Sequence, residues 1–444
     1  MRYHHDSYEV TDSAQRNYEQ SDSTAPRRRG FFYGAALMKK NELLVIYGKH
    51  YTEMAESLCA RAGLSSMILE KCGSRSADIA IKPNILGPIP AKDGATTHPE
   101  VVRGIIRYLR SEGFERITVM ERSWVGDKTS DSLLVTGFGE LCEELDVPFV
   151  DLQKDSSVKR DCAGMELNIC SRPLKADFLI NVPVLKGHCQ TRMTCALKNM
   201  KGCIPSSEKR RFHRMGLHEP IGHLAAGIRQ DFILVDSICG DLTFEDGGNP
   251  VPQDRMIAAV DPVLCDAYGC SLIGIPIEEV RYIAVAEACG AGSSDLSLSS
   301  VICLREEADR ARAEENLSGA GKSAAADGDQ PQAEEEESYY SQSDAAVSAS
   351  LIRVRELVDE VDSCSACYAN LLPAIRRLEQ EGLAEYLKDR VCIGQGFRGK
   401  SGELGVGECT GYFRNNVPGC PPDTERSYRY LKEYCEKQKS LFRG

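Results

Sequence analysis

Four cysteines near the end of the chain have a spacing that could hold an inorganic cluster. They are Cys364 and Cys367 in a CxxC pair, Cys409 in the run GEC, and Cys420 in the run PGCPP. Iron binds thiolates strongly, and the exposed amides at the start of a helix can donate hydrogen bonds to cluster sulfur. The spacing suits an iron-sulfur cluster, which needs four thiolates that converge on one centre. It also suits a tetrahedral zinc ion, or thiols that are simply buried.

A second group of residues that could do chemistry lies in the middle of the chain, which is locally basic. Between Lys186 and His223 there are eight lysines or arginines and two acidic residues. Binding of a carboxylate or a phosphate requires such a concentration of positive charge. The segment therefore predicts a small anionic substrate. The run from Lys209 to Arg211, taken alone, is equally typical of a solvated basic loop.

The side chains with predicted roles follow apolar runs that are typical of buried strands. Ligands of open α/β sheets bind outside the carboxyl ends of the strands, where loops converge. We assign catalytic roles to His188, which would move a proton, and to Lys186, which would hold the anion beside it. Asp236, or Asp241 in its place, would orient the histidine or bind a divalent metal ion. The residues predicted to bind the substrate are Lys82, Asn84, Asn181, Arg192 and Lys198.

The elements that must position these residues alternate between strand and helix patterns. From Pro99 to Ser111 apolar residues recur at helical spacing, and a proline at the first helical position is favourable. Repetition of strand, helix and strand predicts an α/β fold, with a mainly parallel sheet and helices on both faces. The run from Thr191 to Lys201 is also predicted to be helical.

Changes in composition predict four regions. Residues 1–37 are polar and lack periodicity, which is typical of a disordered leader, and Met38 could be the true start. Residues 38–305 form the α/β domain. Residues 306–350 have too few apolar side chains to bury, so they are predicted to be an acidic flexible linker. Residues 351–444 form a small cysteine-rich iron-sulfur module.

The composition of the whole chain limits its partners and its compartment. The 444 residues contain 54 Lys or Arg and 66 Asp or Glu, and the net charge of −12 argues against a nucleic acid or an anionic membrane as partner. No run reaches the roughly 18 apolar residues of a membrane-spanning helix. The stretch from Phe31 to Met38 resembles a signal peptide only weakly. Nineteen cysteines without an export signal favour a reducing cytoplasm.

Several motifs between about residues 43 and 290 resemble the family called domain of unknown function 362. They are IKPN ending at Asn84, THP ending at Pro99, NVPVLKGH ending at His188, LKNMKG ending at Gly202, and DPVLCD ending at Asp266. Members of that family are frequently joined to iron-sulfur modules, often a two-cluster ferredoxin. This chain lacks the CxxCxxCxxxCP run, which leaves a single cluster. Its C-terminal motifs instead resemble the ligands of the cluster nearest the active site in nickel-iron hydrogenase small subunits and the related NADH:quinone oxidoreductase subunit. This resemblance implies that Cys364, Cys367, Cys409 and Cys420 hold one 4Fe-4S cluster, with Cys392 as the reserve ligand.

Together these observations lead to one function hypothesis and two alternatives. The leading hypothesis is a cytoplasmic oxidoreductase of anaerobic metabolism, in which one 4Fe-4S cluster transfers electrons to a small anionic substrate. The first alternative is a non-catalytic electron carrier or maturation scaffold that docks to a redox partner protein. The second is a lyase or isomerase in which the cluster acts as a Lewis acid. The resemblance to the family implies no reaction.

Overall fold

The fold is seen in a computed structural model, which describes residues 37–124, 128–188, 190–242, 245, 247–305, 354, 356–361, 363 and 365–442. The predicted acidic linker and nearly all of the predicted leader lie outside the described residues. So does Cys364, one of the four predicted cluster ligands. Within the described part, no helix combines the length and the apolar character that a bilayer crossing requires.

The strands of the first part of the chain are short and mostly buried. Their bounds are β1 Glu42–Tyr47, β2 Ile79–Pro83, β3 Ile117–Glu121, β4 Phe149–Asp151, β5 Ser157–Cys162, β6 Met165–Cys170, β7 Phe178–Val182, β8 Lys186–His188, β9 Arg192–Thr194, β10 Phe232–Ser237, β11 Arg255–Ala259 and β12 Ser300–Arg305. Eight of them form one sheet in the order β12-β1-β11-β10-β7-β2-β3-β4. Strands β5 with β6, and β8 with β9, form two small antiparallel ribbons.

The large sheet is mainly parallel, as predicted. Strands β10, β7, β2, β3 and β4 pair in parallel, as do β1 and β12. Strand β11 is the exception, because it runs antiparallel to both β1 and β10. The mainly parallel α/β class is therefore confirmed, with one antiparallel strand inside the sheet.

Helices connect the strands and cover the sheet. Their bounds in this part are α1 Tyr51–Ala62, α2 Leu64–Cys72, α3 Pro99–Ser111, α4 Thr129–Thr136, α5 Phe138–Glu144, α6 Ser171–Lys175, α7 Ala196–Asn199, α8 Ser206–Met215, α9 His218–Gly227, α10 Pro262–Leu272 and α11 Tyr282–Ala288. Successive residues of a strand point to opposite faces of the sheet. In β1, Leu43 belongs to a core that contains Ile221 of α9, and Leu44 belongs to another that contains Ile105 of α3. Both faces are therefore covered.

The predicted helix from Thr191 to Lys201 is wrong over its first half. Residues Arg192–Thr194 form β9, and the α-helix occupies only Ala196–Asn199. Arg192 has a φ of +67°, which is incompatible with a right-handed helix. The helix begins at Ala196 because the Asp266 carboxylate accepts the amide hydrogens of Ala196 and Leu197, a contact that a local sequence pattern does not reveal.

The second part of the chain is built on a separate small sheet. Strands β13 Val358–Glu360, β14 Val391–Ile393, β15 Leu404–Val406 and β16 Asn415–Val417 lie side by side in that order, all parallel. Helices α12 Ser365–Gln380 and α13 Thr424–Phe442 pack together beside it and contribute Leu371, Ile375 and Leu431 to a common core. Because all four strands are parallel, their carboxyl ends lie at one edge.

Candidate functional site

The carboxyl ends of β2 and β3 border a small cleft of about 60 Å³ in the first part of the chain. The ribbon of β8 and β9 lies over this edge, because Val184 bridges to Asp236 at the end of β10. The side chains around the cleft are mainly basic and polar. They include Asn84, Glu121, Arg122, Trp124, Lys186, His188, Thr194, Lys198, Asn199, Lys201, Lys209 and Glu245. The structure therefore brings together four of the predicted residues, namely Asn84, Lys186, His188 and Lys198.

Lys82 lies beneath the cleft and is fully buried. Its Nζ is 2.5 Å from Glu121 Oε2, and it also donates to the Pro83 carbonyl and to Asn199 Oδ1. An ammonium group has three hydrogens, so protein acceptors occupy all of its donors. To bind a substrate, as predicted, Lys82 would have to give up one of these three protein acceptors. In the structure it holds Glu121 at the edge of the cleft.

A glycine leaves the space that this buried ion pair needs. A Cβ at Gly202 would lie 2.3 Å from Glu121 Oε1 and 2.6 Å from Lys82 Nζ. We expect Gly202→Ala to lower the free energy of unfolding by about 3 kcal/mol, because it overpacks the site and disturbs a buried charge pair. Urea denaturation measures this change. Gly139→Ala, in helix α5 with no contact closer than 3.4 Å, is the control and should not destabilise the protein; equal costs for both would contradict the interpretation.

The cleft has more cationic than anionic side chains. Arg122 is anchored by the Ile204 carbonyl and by Ser206 Oγ, and Lys198 Nζ donates to Thr194 Oγ1 at 3.3 Å. Burial, together with the nearby Arg122 guanidinium, lowers the pKa of Lys209 to about 7. A bound anion would favour the charged form of Lys209, so the cleft is suited to a small anion.

His188 is fully buried and is held in one tautomer. Its Nδ1 accepts the amide hydrogens of Gln190 and Thr191, so the ring proton is on Nε2, which faces Glu245 Oε1 at 3.4 Å. Burial and then the nearby Lys198 hold the pKa of His188 well below its usual range. At neutral pH His188 is therefore an uncharged hydrogen-bond donor. Its role in proton transfer stays a prediction.

Lys186 enters the cleft next to this histidine. Its Nζ donates to the Ala95 carbonyl at 2.6 Å and to the Glu245 carbonyl at 2.9 Å. These two contacts join the β8 strand to the loop before α3 and to the loop that carries Glu245. Lys186 thereby positions Glu245 opposite His188.

The only tryptophan of the chain, Trp124, lines the cleft. Lys201 Nζ is 5.7 Å from the centre of its ring, and the His213 ring is edge-on at 5.8 Å. His213 Nε2 is 3.0 Å from Lys201 Nζ, and burial with the adjacent Lys201 charge lowers the pKa of His213 to about 2. His213 is therefore neutral and accepts a hydrogen bond from the ammonium. Trp124 offers an intrinsic fluorescence signal for binding in the cleft.

Three asparagines connect the cleft to the strands below it. Asn199 Oδ1 accepts from Asn84 Nδ2 at 3.0 Å, and Asn199 Nδ2 donates to Asn181 Oδ1 at 2.7 Å. Asn181 in turn donates to the Ala196 carbonyl and to Gln230. Asn84 borders the cleft, whereas Asn181 is completely buried behind it. The network fixes α7, which carries Lys198.

Arg192 pairs with Glu279 and does not reach the cleft. Its Nε lies 2.5 Å from Glu279 Oε2, on a partly exposed surface, and it does not line the cleft. The sequence pattern could not show this pairing, because Glu279 lies 87 positions further along the chain. The structure thus separates Arg192 from the other predicted substrate-binding residues.

Asp236 pairs with a different histidine from the one predicted. Its Oδ2 accepts from the backbone amide of His98 at 2.7 Å and lies 2.9 Å from His98 Nδ1, while Oδ1 accepts from the Ile238 amide. Burial opposes the charging of His98, but the Asp236 carboxylate more than offsets this and raises the pKa of His98 to about 10. Asp241 Oδ2 accepts the backbone amide hydrogen of Asn249. Glu245, rather than either aspartate, faces His188.

The raised pKa of His98 predicts a pH dependence of stability. The ion pair contributes fully below the pKa of about 6.5 of an unfolded histidine, and the contribution is lost as the pH rises through about 10. Asp236→Asn should therefore cost up to about 4 kcal/mol near pH 6 and much less near pH 10. Urea denaturation at the two values measures this. Asp254→Asn, which removes the charge of the carboxylate that accepts from the Tyr51 hydroxyl, is the control and should show a constant cost. A constant cost for Asp236→Asn would contradict the assignment.

The predicted cluster cysteines that the structure describes lie at the carboxyl edge of the small sheet. Strand β15 leads into Cys409 and strand β16 leads into Cys420. The two loops are joined by hydrogen bonds from the Gly407 amide to the Val417 carbonyl and from the Glu408 amide to the Gly419 carbonyl. A Cβ at Gly407, whose φ is +91°, would lie 3.8 Å from Cys367 Sγ. Three separate segments therefore converge here.

The charges around these thiols are mixed. Arg398 Nε donates to Cys409 Sγ at 3.5 Å. Burial, followed by the nearby Glu408 carboxylate and Cys409 thiol, raises the pKa of Cys420. The reserve ligand Cys392 lies within β14, where its Sγ donates to the Arg390 carbonyl at 3.8 Å. Cys392 thus occupies a strand, not one of the loops.

One hydrogen bond connects the cysteine edge to the cleft. The Gln190 side chain donates from Nε2 to the carbonyl of Ser363. Gln190 also donates its backbone amide to His188 Nδ1, and Ser363 precedes Cys364 in the sequence. Gln190 thus links the histidine of the cleft, through its backbone, to Ser363 before the CxxC segment, through its side chain.

A third cluster of ligand-type residues lies inside the α/β part. One donor atom from each of Cys195, Cys265 and Asp266 lies within 4.8 Å of the others, and all three side chains are buried. This group could hold a metal ion. Burial raises the pKa of Asp266 to about 7 and that of Cys195 well above its usual range. Because the Asp266 carboxylate also accepts the amides that begin α7, it has a structural role as well.

Several residues of the cleft have no predicted role in the sequence interpretation. They are Glu121, Arg122, Trp124, Asn199, Lys201, Lys209 and Glu245. Glu121 and Arg122 follow an apolar strand, and that signal was sufficient to place them at the cleft. Lys209 belongs to the basic run from Lys209 to Arg211, which the sequence left open as part of an anion site or a solvated loop. No comparable signal marks Trp124.

Comparisons with known proteins support part of the sequence interpretation. A thylakoid-associated protein of Synechocystis sp., sll1697, is 26% identical over 201 residues, which cover 41% of this chain and 58% of that protein. The chain thus spans little more than half the length of this relative. The lactate racemase apoprotein of Thermoanaerobacterium thermosaccharolyticum has a TM-score of 0.33 and 13% identity, over 52% of this chain and 56% of that one. A likeness this distant says nothing about chemistry.

The family comparison covers the segment that contains the cleft. Strands β2, β3, β7 and β10, the ribbon of β8 and β9, and helix α8 all lie inside the matched segment. The match lies within the residues 43–290 that carry the sequence motifs, and it does not extend to the cysteine module. Residues 79–271 of this chain match the family described as Domain of unknown function (DUF362).

Proposed function

We propose that this chain is an iron-sulfur oxidoreductase whose substrate is a small anion bound in the cleft. Cys364, Cys367, Cys409 and Cys420 would hold one 4Fe-4S cluster. A 4Fe-4S cluster exchanges one electron at a time and tolerates a wide range of potentials. The proposal combines the cleft and the described cysteine loops with the ligand pattern of the sequence.

The observation that carries the proposal is the convergence of three cysteine segments at one edge of the small sheet. Gly407 approaches Cys367 closely, and the loops of Cys409 and Cys420 are hydrogen-bonded to each other. Cys367 and Cys409 are more than 40 positions apart in the sequence. Sequence neighbours cannot account for such a convergence, which fits a group that needs ligands from several directions.

The cleft supports an anionic substrate beside this edge. Lys198, Lys201 and Arg122 would bind the anion, and Lys209 would become fully protonated on binding. His188 would donate from Nε2 to an oxygen of the substrate, and Glu245 would hold or accept a proton there. The hydrogen bond from Gln190 to the Ser363 carbonyl supports a short path between the two sites.

Analysis of iron and sulfide in the protein purified without oxygen tests the proposal. We expect about four iron and four sulfide per chain, a brown colour that dithionite bleaches, and an electron paramagnetic resonance signal after reduction. A colourless protein that contains zinc and no iron would contradict it. In that case the cysteine edge would be a structural zinc site.

One observation favours the first alternative, an electron carrier for a partner enzyme. Cys420 is exposed, so this edge is accessible to another protein. The two functions differ in their dependence on the cleft. If Lys186→Ala and His188→Ala preserve cellular function while Cys420→Ala abolishes it, the chain is a carrier and the cleft is not catalytic.

A further inference from the structure

A cysteine, a histidine and an aspartate form a connected row outside the cleft. Cys239 follows β10 and is partly exposed. Its Sγ is 3.7 Å from His98 Nε2, and His98 Nδ1 is 2.9 Å from Asp236 Oδ2. The order of the three groups, a nucleophile, a base and a carboxylate that orients the base, is the arrangement that activates a thiol.

We propose that Cys239, His98 and Asp236 form a nucleophilic thiolate site that reacts with a small hydroperoxide. The inference does not depend on the iron-sulfur proposal, because none of the three side chains lines the cleft or belongs to the cysteine module. It assigns to Asp236 the positioning of His98, in place of His188.

The position of His98 explains how the thiol would be activated. Asp236 is buried and fixes both the backbone amide and the ring Nδ1 of His98, so the ring cannot rotate away from the sulfur. The carboxylate also keeps the imidazole protonated at neutral pH, since it raises the pKa of His98. A protonated ring whose Nε2 lies 3.7 Å from the sulfur can supply the proton that the leaving oxygen of a peroxide needs.

The surroundings of Cys239 limit the size of the reagent. The Ala91 carbonyl lies 3.5 Å from Cys239 Sγ and accepts the proton of the neutral thiol. Gly94, with a φ of +86°, packs against the Cys239 carbonyl. A Cβ added at Gly94 would lie only 2.8 Å from that carbonyl oxygen. The Tyr51 ring stands edge-on to His98 with the ring centres 5.5 Å apart. Such a partly covered sulfur is accessible to a small electrophile rather than to a bulky one.

The proposed reaction is balanced by groups that are present. The thiolate attacks one peroxide oxygen, an S–O bond forms, and the O–O bond breaks. The leaving oxygen takes the proton from His98 Nε2 and departs as water or an alcohol. The sulfur is oxidised to a sulfenic acid, the peroxide is reduced, and His98 is left neutral.

Reaction with a limiting amount of iodoacetamide near pH 6 measures the nucleophilicity of each cysteine in the full chain. Peptide mass spectrometry separates Cys239 from Cys303, an exposed cysteine that serves as the internal reference. We expect Cys239 to react at least about tenfold faster than Cys303, because the His98 ring, oriented by Asp236, lies beside the Cys239 sulfur. A rate for Cys239 equal to or below that of Cys303 would overturn the proposal.

Two variants show whether His98 is responsible. His98→Gln and Asp236→Asn should each lower the rate at Cys239 at least about tenfold and leave the rate at Cys303 unchanged. If His98→Gln does not fold, Asp236→Asn and the wild-type ratio still decide the question. An unchanged rate at Cys239 in either folded variant would overturn the proposal.

Hydrogen peroxide with dimedone then tests the electrophile. Dimedone traps sulfenic acid, and we expect Cys239 to be labelled before Cys303, with no such preference after His98→Gln. Labelling of the two cysteines at the same peroxide concentration would exclude a hydroperoxide-reactive site.

Discussion

Replacement of Cys409 or Cys420 by alanine is expected to remove most of the iron from the protein. A cubic cluster needs four ligands, and each of these two thiols comes from a separate loop at the carboxyl edge of the small sheet. We expect the iron content to fall from about four atoms to below one per chain, with loss of the visible absorption. Iron analysis and absorption spectra of proteins purified without oxygen measure this.

Cys392→Ala is the matched control for this experiment. Cys392 belongs to the same module and is partly exposed like Cys409, but it lies inside β14. It should retain full iron. If Cys392→Ala loses the iron while Cys364→Ala keeps it, Cys392 is a ligand in place of Cys364. Full iron in both Cys409→Ala and Cys420→Ala would contradict the proposed site.

Reversal of charge in the cleft is expected to weaken the binding of a small anion about 100-fold. Lys198→Glu and Lys201→Glu each place a carboxylate where an ammonium now faces the cleft, which costs about 3 kcal/mol in a partly buried site. Titration with inorganic phosphate, followed by the fluorescence of Trp124, measures the affinity. Because Trp124 is the only tryptophan, the signal reports this site alone.

Lys175→Glu makes the same change of charge at the opposite edge of the sheet. Lys175 is exposed at the end of α6, just before the amino end of β7. It should leave the affinity within about twofold of the wild type, since exposed charges at that distance are screened by salt. Equal losses for Lys175→Glu and Lys198→Glu would show that only the net charge matters. The absence of any change in Trp124 fluorescence with phosphate would exclude an anion site in the cleft.

The affinity for phosphate should also depend on pH through Lys209. Its pKa of about 7 means that the cation is lost as the pH rises above neutrality. A bound anion stabilises the protonated amine, so binding above about pH 7 must take up a proton. We therefore expect weaker binding at higher pH, and the dependence should become smaller in Lys209→Met.

The sequence patterns predicted the strands and their polar ends better than the contacts of the side chains. The apolar runs before Asn84, Glu121 and Asn181 are buried strands, and residues after these strands border the cleft. Such patterns are local, so they can be recognised in a single sequence. Lys82 was assigned to the substrate, yet it is paired with Glu121 in the neighbouring strand. The partner of a buried charge depends on the register between strands, which is not a local property.

The same limit explains the other differences. Asp236 lies opposite His98 because β10 ends beside the start of α3, and Arg192 meets Glu279 across a long segment. Cys195, Cys265 and Asp266 are brought together only by the packing of α7 on α10. Each pairing joins residues that are far apart in the chain. No spacing rule for a helix or a strand predicts such contacts.

The sequence by itself determined the alternation of strands and helices, the strand ends that carry polar residues, and the spacing of the four C-terminal cysteines. Those properties follow from the periods of local backbone conformations and from the order of residues. Only the tertiary structure decided that Glu245 faces His188, that Lys82 is buried in an ion pair, and that Gln190 connects the cleft to the cysteine segment. These contacts arise when the helices and loops pack around the sheet, because packing brings distant side chains within a few ångströms and fixes their charge.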